Sequence, residues 1–152
     1  MVTQIEGKYR AIDIANYFLL KADQEDQELL SNLKLQKLVY YAQGLHLAMY
    51  GESLFNEEIE AWQYGPVVPD LYHHFKGHGS KGIPANAKFD PLKIDDKTRD
   101  FLDEIYEVFG QFSAVRLMHL AHSDQCYVKT QINCEITKEL MQKYLRKYLV
   151  DG

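Results

Sequence analysis

Cysteine is scarce in this chain. Cys126 and Cys134 are the only 2 in 152 residues and form no C-x-x-C pair, so neither a disulfide framework nor a complete cysteine zinc site is expected. Positive charge is in deficit: 17 Lys and Arg stand against 22 Asp and Glu, for a formal net charge of -5. A protein whose main work is gripping a phosphate backbone would not be built this way. Long apolar runs are missing too. The longest, near Leu38 to Tyr50, is broken by Gln43, Gly44 and His46, and the N-terminus has no basic-then-apolar leader, which argues against a membrane span or a secretion signal. No repeat, low-complexity tract or linker divides the chain. With 46% hydrophobic residues, residues 1–152 are read as one cytoplasmic domain with a real core.

Catalytic signatures are equally thin. Gly77 to Gly82 spells G-x-G-x-x-G, but it follows a helical segment and runs into Ile83-Pro84, so no helix N-terminus stands behind it to hold a dinucleotide phosphate. Ser113 and Ser123 lack G-x-S-x-G surroundings, and there is no P-loop. Glu57, Glu58 and Glu60 fall on a segment of alternating polarity and read as a solvated face. The expectation is a chain that is not an enzyme and carries no cofactor. Two histidine groups keep a metal-dependent alternative open. His119 and His122 stand at i and i+3 with Cys126 beyond, and His73, His74 and His78 cluster near one another. Neither group names enough further donors for a ligand set, so core or capping histidines are the plainer reading.

What the chain does have is one strongly apolar helix. Leu35, Leu38, Val39, Ala42, Leu45 and Met49 recur at helical spacing, and Tyr40, Tyr41 and Leu47 extend the apolar surface around most of the circumference, as expected of a helix through the centre of a domain. Ser31 or Asn32 caps it. Gly44 mid-helix predicts a neighbour passing close to the backbone, and Gly51 predicts a left-handed stop. Phe55 to Trp62 alternates like a short half-buried strand that Tyr64-Gly65-Pro66 ends, and Pro69 to Phe75 reads as a helix with Pro at its first position.

Around this centre the periodicity predicts helices at about Tyr9 to Ala22, from Asp95 or Asp96 to Gly110, from a Ser113 cap to near His122, and from a Thr137 cap to Tyr148. Their inner faces are Ile12, Ala15, Phe18 and Leu19; Phe101, Leu102, Ile105, Val108 and Phe109; Val115, Leu117, Met118 and Ala121; and Leu140, Met141, Tyr144, Leu145 and Tyr148. Lys76 to Leu92 reads as a long loop and Tyr127 to Asn133 as irregular, and Ile132 to Ile136 is a candidate second strand pairing with Ile59 to Trp62. The fold class is therefore mainly α: about six helices around the central one, with at most a short two-stranded β-sheet.

Two segments carry a resemblance. Lys34 to Gln43 reads K-L-Q-K-L-x-Y-x-A-Q, and Glu60 to Tyr72 reads E-A-W-x-x-G-P-V-x-P-x-x-Y; in combination they resemble the core of the Panacea domain, a SocA-like or GepA-like phage-associated family of bacterial antitoxins. Phe109 to His122, FGQFSAVRLMHLAH, is a weaker match, and the resemblance runs from about Ile12 to Tyr148. Where the family often places Pro-Trp after the histidine, this chain has Ser123 to Tyr127, with Tyr127 in the place of Trp.

The resemblance implies an antitoxin that binds a cognate toxin encoded by a neighbouring gene, or a SocA-like adaptor that delivers the toxin to a AAA+ protease. Its usual DNA-binding attachments find no room here, so direct protein contact is expected, with no direct nucleic acid and no membrane as partner. A phage-associated protein with a partner other than a toxin is a further alternative. The 11 tyrosines, many between Tyr40 and Tyr72, supply side chains suited to a partner surface. The candidate surface is the corner Trp62, Tyr64, Pro66, Val67, Tyr72 and Phe75.

Overall fold

The computed structural model describes residues 7–26 and 28–149. Seven α-helices and one hairpin are seen among them: α1 (Ala11–Lys21), α2 (Asn32–Tyr50), β1 (Glu60–Trp62), β2 (Gly65–Val67), α3 (Pro69–Phe75), α4 (Asp96–Phe109), α5 (Ala114–Ser123), α6 (Gln125–Val128) and α7 (Lys138–Tyr144). A π-helical turn, Ala22–Asp26, extends α1, and a 3₁₀ turn, Leu145–Leu149, extends α7. The seventh helix is α6, a single turn that overlaps the start of the stretch Tyr127 to Asn133, which was expected to be irregular.

Helix α2 is the axis of the fold. The buried residues run without interruption from Leu35 to Leu45, and α1, α4, α5, α7 and the hairpin all pack on it. Ser31 is the cap, its Oγ accepting from Lys34 N at 3.2 Å, and Gly51 closes the helix at φ +70°. The close neighbour expected at Gly44 is Leu145: a Cβ at position 44 would lie 2.1 Å from its Cδ1. Asp95, Ser113 and Thr137 cap α4, α5 and α7 through their side chains, because each places a short oxygen-bearing side chain before an apolar-periodic run.

Three residues expected on inner faces, Met49, Val108 and Val115, are exposed, and Ile12 is half-buried against the core while Ile14 is fully covered. In α1 and α4 the rest of the expected stripe is buried, with Ile14 and Tyr106 added to it.

The sheet also differs from expectation. Its two strands are β1 and β2, antiparallel, with Glu60 opposite Val67, Ala61 opposite Pro66 and Trp62 opposite Gly65. Tyr64-Gly65-Pro66 therefore begins a strand as well as ending one; Gly65 holds φ +106°, a conformation that lets the chain reverse and that side-chain-bearing residues rarely adopt. The segment near Cys134 adds to the opposite edge of β1. Ala61 N donates to Cys134 O at 3.0 Å, Asn133 N to Ala61 O at 2.6 Å, and Ile136 N to Ile59 O at 2.8 Å. Ala61 turns both its N–H and its C=O away from β2, so this outer segment serves the backbone groups that the hairpin leaves open. No helix among the described residues is long and apolar enough to cross a membrane.

Candidate functional site

Polar side chains on α2 hold the hairpin corner in place. Gln36 Oε1 accepts from Val68 N at 2.9 Å, while its Nε2 donates to Asn32 Oδ1 at 2.9 Å. Asn32 in turn donates to Tyr72 O at 3.3 Å. Lys37 Nζ donates to Pro66 O at 3.2 Å. One turn further on, Gln43 clamps the incoming chain, accepting from Leu54 N at 2.7 Å and donating to Phe55 O at 2.8 Å. These residues are buried, and a buried amide survives only with partners on both its nitrogen and its oxygen. Gln36 and Lys37 of the K-L-Q-K-L-x-Y-x-A-Q segment are thus brackets for the corner, while Gln43 fixes the chain leading to it and Lys34 Nζ donates to Gly110 O at 2.6 Å.

From the other side the corner is held by α5 and α6. Tyr127 Oη donates to Trp62 O at 2.6 Å, His122 Nε2 lies 2.9 Å from Gln63 O, and the two rings meet at 5.1 Å. Tyr127, standing where the family often has Trp, therefore has a structural task of its own.

The bracketed corner forms one wall of a groove of about 910 Å³. Of the corner residues named from sequence, Trp62, Tyr64, Val67 and Tyr72 line it. The Trp62 indole is half-buried, donates from Nε1 to Glu60 Oε1 at 2.9 Å, and meets the Tyr72 ring edge-on at 5.1 Å. Tyr64 is 60% exposed and Tyr72 37% exposed. Pro66 and Phe75 do not reach the groove: both are buried, Pro66 in β2 and Phe75 on the inner side of α3. The opposite wall brings in Gln36, Lys37, Ala114, Met118 and Asn133. Sequence patterning missed these because they come from α2, α5 and the chain before α7. The available signal was the pair of polar residues Gln36 and Lys37 within the apolar stretch of α2.

The histidines part company. His119, His73 and His74 are exposed, and His122 is half-buried against the hairpin; His119 is not the core residue its apolar neighbours implied. Among the described residues no group of three or more His, Cys, Asp or Glu side chains is placed to hold a metal ion. Cys126 is buried beside Tyr40, and burial raises its thiol to about 11, which keeps it protonated and poorly nucleophilic at neutral pH.

Comparison with known proteins settles the family. The model of the family described as Antitoxin SocA-like, Panacea domain matches residues 35–127. That span begins in α2, takes in the whole hairpin corner and ends at Tyr127. The chain belongs to the SocA-like Panacea family. The Panacea chain is also similar to Antitoxin SocA of Caulobacter vibrioides (strain NA1000 / CB15N), with 34% identity over 132 residues, covering 80% of this chain and 70% of that protein. No solved structure gives a significant match. The Panacea match includes Gln36 and Lys37 of α2 and the corner they hold.

Proposed function

We propose that this antitoxin neutralises a protein toxin encoded by a neighbouring gene through direct protein–protein binding, with the hairpin groove as the contact face. The observation that carries this reading is the convergence of Trp62, Tyr64 and Tyr72 on one groove. Aromatic side chains with a polar tip give much contact area for little lost side-chain freedom, and interfaces concentrate their binding energy in them. The corner is also held by α2, α5 and α6 together, so the rings are pre-organised and less ordering cost is incurred on binding. Inhibition then comes from covering the toxin's working surface, without turnover.

The test is co-expression. The neighbour's product alone is expected to stop growth, and this chain to restore growth and co-purify with it. A harmless neighbour that does not bind overturns the reading. Following toxin abundance in the same cells separates masking, where the toxin persists in complex, from delivery to a AAA+ protease, where it disappears.

A further inference from the structure

The corner groove does not end at the corner. A second groove, of about 870 Å³, adjoins it, and Ser31, Ser80 and Ala114 line both. The two meet where the starts of α2 and α5 face the loop after α3. Their chemistry is opposite. Among the described residues the corner groove has Lys37 and Lys76 and no Asp, Glu or Arg; Lys37 is buried beneath it, and the accessible cation is Lys76. The second groove is lined by four carboxylates, Glu25, Glu28, Asp103 and Glu107, against two lysines, Lys21 and Lys34.

Both lysines are engaged. Lys21 pairs with Glu25 and, at 3.2 Å, with Asp103, and Lys34 Nζ donates to Gly110 O at 2.6 Å. That leaves Glu28, from the chain leading into α2, and Glu107, one turn beyond Asp103 on α4. Both are exposed, and neither makes an ion pair with a described residue.

We propose that one segment of the toxin lies along both grooves, with an apolar stretch in the corner groove and lysine or arginine side chains beside Glu28 and Glu107. This rests on the antitoxin reading above and names the chemistry of the segment bound. Carboxylates on the walls of a concave site focus a negative potential that draws in and orients a basic partner. At the other end Leu33, Trp62, Val67 and the adaptable Met118 offer apolar walls. Charge rules against two other occupants. A phosphate backbone would be laid against four carboxylates, and a second copy of this chain, itself at -5, would be repelled.

The experiment is titration of the purified neighbouring-gene product into wild type, Glu28→Lys/Glu107→Lys and Glu58→Lys/Glu104→Lys, at low and high salt. The control pair is exposed, lines neither groove and changes the net charge equally, so it reports general repulsion alone. The groove pair is expected to weaken binding about tenfold or more at low salt, and less at high salt, while the control stays within about threefold of wild type. Glu28→Gln/Glu107→Gln, expected to lose about fivefold, decides the matter if the reversed variant does not fold. Equal losses in the groove and control variants overturn the inference and leave the antitoxin reading intact. A photo-crosslinking residue in place of Gln111, in the acidic groove, or of Lys76, in the corner groove, should capture adjacent stretches of one toxin segment, with Lys or Arg beside the position-111 adduct. Adducts on separate regions of the toxin, on a stretch without basic residues, or between two copies of this chain overturn it as well. No binding by wild type overturns both readings.

Discussion

Single side chains in this protein answer to their surroundings, and two buried charges show opposite outcomes. Asp124 is fully covered and fully answered. Tyr40 and Tyr41 donate to Oδ2 at 2.9 and 2.8 Å, Tyr148 donates to Oδ1 at 2.6 Å, and Lys147 pairs with Oδ1 at 3.0 Å. Asp124→Ala removes the acceptor and strands the tyrosine hydroxyls, so denaturant unfolding should show a loss of about 3–5 kcal/mol. Lys37 has no such set. Its folded pKa of about 7 lies below the ordinary 10.5, so between those values the unfolded chain binds more protons than the folded one. The cost of burying the charge is complete below pH 7 and relieved as pH rises toward 10.5. Lys37→Met should therefore raise stability by about 1–4 kcal/mol at pH 6 and flatten the rise in stability toward pH 10. An unchanged melting curve at pH 6 would mean that the ammonium is solvated after all.

At the scale of elements, the fold was legible wherever one segment's own residues decide its form. The caps Ser31, Asp95, Ser113 and Thr137, the left-handed Gly51 and the Pro69 start were readable because each acts within one turn of chain. Of the neighbours of β1, the segment from Ile132 to Ile136 was readable and β2 was not. The hairpin depends on Gly65 turning the chain back, which appears only once the strands are side by side. Gly44 was readable as a close approach but not as an approach to Leu145, about a hundred residues away. Gly44→Ala should lower stability by about 1–3 kcal/mol through that collision, even though Ala is the better helix former by about 1 kcal/mol. In a Leu145→Ala background the same substitution should be neutral or favourable, and a double-mutant cycle by chemical denaturation measures the difference.

At the scale of the whole molecule, α2 carries the core on most of its surface and, through Gln36 and Lys37, holds the aromatic corner in place. Half of that site was visible in the sequence: Trp62, Tyr64 and Tyr72 announce themselves as a cluster of large amphipathic rings beside a Gly-Pro turn. The other half, from Met118, Ala114 and Asn133, was hidden because groove walls are assembled from distant segments with no shared local pattern. Pro66 and Phe75, equally close in sequence, turn inward instead. The decisive measurement is the affinity of the neighbouring gene's product for wild type and for the double variant Tyr64→Ala/Tyr72→Ala. Both side chains are exposed, so the melting temperature should stay within a degree or two of wild type. The account predicts a loss of about thirtyfold or more in affinity, with growth rescue lost in parallel. Unchanged affinity and full rescue by the folded double variant would contradict it and place the toxin on another face.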